Sequence, residues 1–383
     1  MNRSQICSVQ PKKSLEKIES FLSGLHDQVS VKEALCEKNS LIDVRTFQEY
    51  NKGSIPDAFN FPLFDNLERA EIGTIYKNIG KNAAVEKGLG FFEPRIQEFL
   101  SSLTDLKTKR LVVFCARGGM RSSSVVRLLQ HQGFQAAQLQ GGYKSYRSYV
   151  LKQLIKPVPP LIVLHGRTGV GKTLLLKKLP DHLDLEEFAG HRSSLFGAIN
   201  KIPQTQKNFE ALLSKKILEL PKTKPLFIEG ESRKVGEVFI PQALAEAMKY
   251  GTLVLLRASL DTRIERIVEE YKIYDDKTYL QADSILQSMQ KVLGKKKADQ
   301  LRRWLRKGEF KNIVHLLLEE YYDPRYQYAM SGNEYSLELS AEDLNIAAEK
   351  LIRFQNSIIS SRDNGLQSAP VSYTHLRAHE TLR

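Results

Sequence analysis

Cysteine is scarce in this chain. Only Cys7, Cys36 and Cys115 occur in 383 residues, with neither metal-type spacing nor the even number a disulfide framework needs. A reducing, cytoplasmic setting is the expectation. Long apolar runs are also missing: stretches such as Leu253–Leu256 are far too short to span a bilayer, so no membrane association is expected. The opening MNRSQICSVQPKKS has no apolar segment of the kind that directs secretion. No internal repeat is visible. Hydrophobic residues make up 42% and charged residues 26%, which fits a globular chain with an ample core, and the length exceeds one ordinary domain. Positive charge, by contrast, is plentiful: 57 Lys+Arg against 44 Asp+Glu, a net +13. Residues 1–150 carry 21 against 15 and the remainder 36 against 29, so the excess is spread over both halves and not held in a tail. A polyanionic partner, nucleic acid above all, fits such a chain. Charge alone does not select it.

Short β-like runs (Leu41–Val44, Leu111–Phe114, Ala136–Leu139) alternate with amphipathic helical stretches over residues 15–150, which predicts an α/β domain with a mainly parallel sheet. LIKPVPP (Leu154–Pro160) reads as part of an extended linker over residues 151–160. A second α/β domain, residues 161–355, opens with the strand LIVLH (Leu161–His165) and has further strands at Leu226–Ile228 and Thr252–Leu256. From Asp261 the pattern is chiefly helical, with Ile285, Leu286, Met289, Val292 and Leu293 on one face. The periodicity stops after about Ser360. Residues 361–383 are expected to be non-native or disordered, and the i,i+4 pair His375 and His379 is set aside from metal reasoning.

The most informative stretch is LVVFCARGGMRSSSVVRLLQ (Leu111–Gln130). Here a strand runs into Cys115, a Gly-Gly pair and two arginines, and then into a helix. An unperturbed thiol ionises near pH 8.5. Backbone N–H groups of Gly118 and Gly119, the positive end of the helix, and the charges of Arg117 and Arg121 would all lower that value. Residues 115–121, Met120 included, form a cradle able to bind a tetrahedral oxyanion or to hold a persulfide. The competing reading is a buried structural cysteine at a strand end.

GRTGVGKT (Gly166–Thr173) satisfies Gly-x4-Gly-Lys-Thr between a strand and a helical LLLKKL. Backbone N–H groups around Gly166, Gly169 and Gly171 would wrap a diphosphate. Lys172 would meet its oxygens, and the Thr173 hydroxyl could ligate Mg²⁺. In PLFIEGES (Pro225–Ser232), Glu229 is the candidate for orienting a metal or its water, where Asp is the usual residue. The tract Lys291–Lys311 carries nine Lys/Arg against two acids, with Trp304 and Phe310 among them. Lys295, Lys296, Lys297, Arg302 and Arg303 are its candidate nucleic-acid contacts, tracking a phosphate backbone; the alternative is a solvated helix face with Trp304 in the core. AGHRSSLFG (Ala189–Gly197) and EGESRKVG (Glu229–Gly236) suit a pocket whose contents spacing does not reveal.

The first 150 residues resemble the rhodanese family: LIDVRTFQEYNKGSIPDAFNFP (Leu41–Pro62) matches its first signature and LQGGYKSYR (Leu139–Arg147) its closing strand and glycine pair. The loop is Cys-x5-Arg, as in phosphatase relatives, and is one residue longer than in the usual sulfurtransferase. Phe114 stands where those phosphatases commonly have His. Together with the P-loop, the Pro62–Gly88 insertion, GHRSSLFG, EGESRKVG and YYDPRYQY (Tyr321–Tyr328), the chain resembles the tRNA 2-selenouridine synthase family, with Ala116 where that family often has Trp. The resemblance implies replacement of sulfur by selenium at C2 of wobble 2-thiouridine, position 34, in the Lys, Glu and Gln tRNAs. Selenophosphate, supplied by a partner enzyme, would be the donor, and an S-geranylated intermediate would be made from geranyl diphosphate. Cys115 would take or deliver selenium; the P-loop fits geranyl diphosphate or a nucleotide equally. Two other readings stay open: a sulfurtransferase or Cys-x5-Arg phosphatase fused to a nucleotide-regulated module, and a non-catalytic tRNA- or nucleotide-binding protein.

Overall fold

The computed structural model describes residues 26–192, 194–271, 275–330 and 332–365. Cys7, Ser193, His375 and His379 lie outside them, as does the tail beyond Gly365. The chain forms two compact units. Among the described residues no helix is long and apolar enough to cross a membrane.

The first unit runs to Lys156 and also takes in Pro203–Leu218 and Glu237–Pro241 from further along the chain. Its sheet contains β1 (Gln28–Val29), β2 (Asn39–Asp43), β3 (Phe59–Asn60), β4 (Arg110–Phe114) and β5 (Ala136–Leu139), in the order β1-β5-β4-β2-β3. All pairings are parallel. The near-continuous apolar runs of β4 and β5 follow from burial on both faces of a parallel sheet. Val125, Val126 and Leu129 of the helix Met120–His131 pack with Leu111 and Val113 in the core. The register pairs Asp43 with Phe114, so the chain leaves β2 and β4 side by side and places Arg45 and Cys115 together at the carboxyl end of the sheet. Strand carboxyl ends are where open α/β sheets present their ligand sites.

A buried ion pair fixes that end. Asp43 is 0% and Arg45 4% exposed, and the guanidinium grips the carboxylate through Nε at 2.9 Å and Nη2 at 2.6 Å. Arg45 also donates to the Gly53 carbonyl at 2.8 Å and lies 4.0 Å from the centre of the Tyr143 ring, while the Ser54 hydroxyl donates to Asp43 at 2.7 Å.

In the second unit, β6 (Leu161–His165), β7 (His182–Leu183), β8 (Leu226–Glu229), β9 (Thr252–Arg257) and β10 (Leu337–Ser340) form a parallel sheet in the order β10-β9-β6-β8-β7. Both units are thus α/β with parallel sheets. The edge strand β10 lies in the stretch read from sequence as chiefly helical, because LELS is too short to show a strand period. Helices Asp276–Ser288, Lys295–Lys307 and Phe310–Leu317 build a separate apolar core around Leu286, Met289, Leu301, Leu305 and Leu317, with Trp304 packed at its margin. The expected common face of residues 285–293 is interrupted. The helix ends at Ser288, a new turn runs Gln290–Leu293, and Val292 is left 53% exposed.

Removing one partner of a buried ion pair strands the other charge. Arg45→Ala should cost about 3–5 kcal/mol in denaturant unfolding of the full chain, and Arg45→Met with Asp43→Asn clearly less. Equal losses would show that the charge is not what matters.

Candidate active site

Cys115 follows β4 and is buried. Its sulfur accepts from the Gly119 N–H at 3.3 Å and from the Ser122 hydroxyl at 3.2 Å. Burial alone would raise the thiol's pKa; the Ser122 hydroxyl, loop N–H groups and the charge of Arg121 outweigh it and hold the pKa below the usual value. The loop rests on the glycine pair ahead of the helix Gly142–Leu154. Tyr143 N–H donates to the Cys115 carbonyl at 2.9 Å and Lys144 N–H to that of Ala116 at 3.0 Å. Gly142 has φ +59, and a Cβ there would come within 2.3 Å of the Cys115 carbonyl oxygen. Only glycine lets the helix start approach so closely. Arg121 pairs with Glu49 at 2.9 Å. Glu49 is the third residue of the helix Phe47–Asn51 and closes a capping box with Thr46, so the helix start and the arginine share one carboxylate. Arg117, Gly119 and Met120 line the cleft above the sulfur, and Gly118 takes the left-handed turn at φ +62.

Sequence reading missed a second layer. Gln138, the polar residue in β5, donates to Ser122 Oγ at 2.7 Å and to the Gly119 carbonyl at 3.2 Å, and its own oxygen meets His26 Nε2 at 2.5 Å. Ser122 Oγ could donate either to the sulfur or to Gly119 O. Gln138 donates to both the Ser122 hydroxyl and the Gly119 carbonyl, which holds the hydroxyl within reach of the sulfur. A buried glutamine in the strand AAQL was the available signal.

In the second unit the P-loop follows β6. Gly169 and Gly171 have φ of +80 and +96, and a Cβ on Gly169 would lie 2.9 Å from the Arg263 carbonyl oxygen. Lys172 Nζ turns back on the Gly166 carbonyl at 3.2 Å. Burial would lower its pKa, but Tyr326, Glu231, Glu186 and Glu229 raise it, so it stays charged. Glu229 ends β8 and is wholly buried, accepting from the Glu186 N–H at 2.9 Å. Thr173 Oγ1 lies 3.1 Å from Glu186 and 3.5 Å from Glu229. Burial first, then Glu186, Asp184 and Glu231, push the Glu229 carboxyl well up. This surplus of negative charge beside a phosphate loop is what a divalent cation would neutralise. Among the described residues no set of three or more His, Cys, Asp or Glu side chains forms a metal cage by itself.

The polar motifs converge on this loop. Arg263 donates to the Thr168 carbonyl at 2.8 Å and pairs with Asp323 of YYDPRYQY at 2.6 Å, a π-helical turn at Leu318–Tyr322 preceding that aspartate. Arg192 of GHRSSLFG pairs with Glu270, Ser194 bonds the Tyr271 hydroxyl, and Leu195 N–H donates to Tyr322. In the basic tract, Lys295 and Lys296 are exposed and Arg303 meets Gln300, whereas Lys297 holds Glu320 and Arg302 holds Asp283 at 2.7 Å.

A cysteine cradle on a rhodanese-type sheet, carried in one chain with a P-loop domain, defines a two-domain α/β class. Residues 27–149 match the rhodanese-like domain model, and residues 159–351 match the model for the tRNA 2-selenouridine synthase AAA domain. The chain therefore belongs to the tRNA 2-selenouridine synthase family and is a tRNA-modifying enzyme. Among solved structures it is similar to the N-terminal domain of an ATP/GTP binding protein from Clostridium difficile 630, at 41% identity over 33% of this chain and 99% of that one, TM-score 0.32. It is also similar to a rhodanese-like domain protein from Staphylococcus aureus (24% identity, 31% of this chain and 90% of that one, TM-score 0.21). A rhodanese-related protein from Thermoplasma volcanium matches at 19% identity over 32% and 93%, TM-score 0.21.

In a Cys7→Ser, Cys36→Ser background, Ser122→Ala and Gln138→Leu should each slow iodoacetamide alkylation of Cys115 roughly tenfold near neutral pH, a hydrogen bond to a charged group being worth about 1.5–3 kcal/mol. The difference should vanish at high pH, where every variant is thiolate. A profile identical to wild type would mean that the hydroxyl does not serve the sulfur.

Proposed function

We propose that this enzyme replaces sulfur by selenium at C2 of wobble 2-thiouridine, by way of an S-geranylated base made from geranyl diphosphate bound at the P-loop. One observation carries the choice of ligand. An apolar cavity of about 300 Å³ in the second unit shares Thr168, Ser194, Ile267 and Tyr271 with the P-loop cleft. Its remaining walls include Phe196, Ala282, Leu286, Leu305, Ile313 and Leu317. A diphosphate on Lys172 would thus have an apolar chamber beside it, where each buried CH₂ is worth about 0.8 kcal/mol. A purine ring offers polar edges on several sides, whereas these walls are mostly aliphatic and aromatic, with polar groups only at Thr168, Ser194, Glu269, Tyr271 and Tyr322. Nucleotide-driven closure is therefore the weaker reading.

In the first step the sulfur of the base forms a bond to C1 of the geranyl group, while the C1–O bond breaks, diphosphate leaves with the electron pair and the N3 proton of the base passes to solvent. Lys172 and the loop N–H groups stabilise that leaving charge. Mg²⁺, held by Thr173 and Glu229, would neutralise the diphosphate further. In the second step selenium from selenophosphate takes the place of geranylthiol at C2, water supplying the oxygen that converts the donor to phosphate. The Cys115 thiolate attacks the phosphorus of the tetrahedral donor held in its cradle, forming an S–P bond as the P–Se bond breaks and hydrogen selenide is released. Water then cleaves the S–P bond to give phosphate and the free thiol, while the selenide bonds to C2 as the C2–S bond breaks and geranylthiol leaves. The Lys, Glu and Gln tRNAs are the proposed substrates.

Lys172→Ala should weaken diphosphate binding about ten- to a hundredfold, a charge-assisted contact being worth roughly 1.5–3 kcal/mol. It should abolish geranylation yet still convert tRNA supplied already geranylated. Ala282→Phe, which fills the apolar chamber, should behave likewise. Cys115→Ser should show the reverse, geranylating normally and failing at selenation. Mass spectrometry of wobble nucleosides reads all three. If Lys172→Ala slowed both steps equally and ATP stimulated the wild type, the nucleotide reading would replace this one.

A further inference from the structure

The cleft above Cys115 has a volume of about 980 Å³, far more than a tetrahedral donor needs. One wall is the helix Asn66–Asn78, part of the insertion after β3. Five cations line the cleft: Arg69, Lys77, Lys81, Arg117 and Arg121. No carboxylate is among its lining residues. Sorting of charge on the wall helix accounts for this. Its acids are engaged elsewhere, Glu68 with Arg95 at 2.8 Å and Glu71 with Lys87 at 2.9 Å. Arg69, Gly73, Tyr76 and Lys77, at spacings of four, three and one, share the face on the cleft. A Cβ on Gly73 would come 2.8 Å from the Arg69 guanidinium, so the glycine leaves that side chain its room. Burial first, and then the positive charge of Arg121, hold the pKa of half-buried Arg69 below its usual value against the weaker pull of Glu49 and Cys115. Tyr76 is 53% and Met120 36% exposed at the cleft, an aromatic face and a soft apolar side chain available to an unstacked base.

Of the five, Arg121 has the Glu49 carboxylate beside it; cations gathered in such excess repel one another unless an anion joins them. A row of them beside an exposed aromatic ring is the chemistry that holds a single-stranded nucleic acid, with phosphates on the cations and a base on the ring. We infer that this cleft is the docking site for the single-stranded anticodon loop, with Arg69, Lys77 and Lys81 on its phosphates and Tyr76 against a base. The inference rests on the tRNA-modifying reading and assigns the surface that reading leaves open. The helix Lys295–Lys307 is the weaker candidate for the loop itself, because Lys297 and Arg302 are already neutralised by carboxylates.

The test measures binding of the full chain to a 17-nucleotide anticodon stem–loop with 2-thiouridine at position 34, by fluorescence anisotropy across a salt series. Each lost phosphate contact on a single strand flattens the slope of log K against log salt by about 0.7. Arg69→Gln with Lys77→Gln and Lys81→Gln should flatten it by roughly 2 and weaken binding tenfold or more near physiological salt. Lys77→Gln with Lys81→Gln alone, both at exposed sites, should give roughly two-thirds of the flattening without any risk to the fold. Tyr76→Ala should weaken binding with the slope unchanged, stacking being uncharged. Wild-type affinity and slope in these variants would overturn the inference, as would equal flattening from Lys295→Gln with Lys296→Gln or competition by a phosphopeptide and not by the stem–loop. A wild-type enzyme that bound the stem–loop through this cleft but failed to convert geranylated tRNA with selenophosphate would instead overturn the proposed reaction.

Discussion

The buried pair of Asp43 and Arg45 is the interaction on which the cysteine site hangs. It seals the carboxyl end of β2 in a place where neither charge could stand alone, and it ties that end to the Gly53 carbonyl and the Ser54 hydroxyl. From this anchored turn the short helix Phe47–Asn51 starts at a defined angle, capped by Thr46. Its third residue, Glu49, thereby reaches Arg121. The arginine that helps hold the Cys115 thiolate is thus aimed from a different strand, through a chain of contacts that begins with one ion pair.

The same device recurs at the second site with different parts. Arg263, 3% exposed, is held by Asp323 and in turn holds the Thr168 carbonyl, so the P-loop is shaped by a buried charge pair from outside it. Both phosphate-type loops therefore follow parallel strands and depend on glycines for close approach. Both are braced by an arginine–carboxylate contact. Their differences are chemical. The cysteine cleft is lined by cations without carboxylates, whereas the P-loop lies beside Asp184, pushed up to about 6 by burial and its acidic neighbours, and beside Glu186 and Glu229. One surface is cationic throughout its lining, and the other sets a lysine among crowded carboxylates.

Much of this was legible in the sequence because it is local. The strand–loop–helix order around Cys115 and around Gly166–Thr173 is written in consecutive residues, so periodicity and glycine spacing reveal both cradles and the parallel α/β class. The edge strand Leu337–Ser340 was not legible, since four alternating residues carry too little period. Nor was the break at Met289, where the backbone ends one helix and starts another, so that Val292 turns outward. Gln138 stood in plain view as a polar residue in an apolar strand, but its meaning depends on Ser122, sixteen residues earlier, lying across the strand top.

By itself, then, the sequence determined which atoms are available for chemistry: a thiol among N–H donors, a lysine and threonine after a glycine turn, and an excess of positive charge. Tertiary structure decided what surrounds them. It brought Ile267, Leu286 and Ile313 from separate helices into one apolar chamber beside the P-loop, and it turned Arg69 and Lys77 toward Cys115 while Glu68 and Glu71 were spent on other cations. The physical reason is that a cavity and a field are properties of the space between elements. They are set by packing across tens to hundreds of residues, and no run of neighbouring residues encodes them.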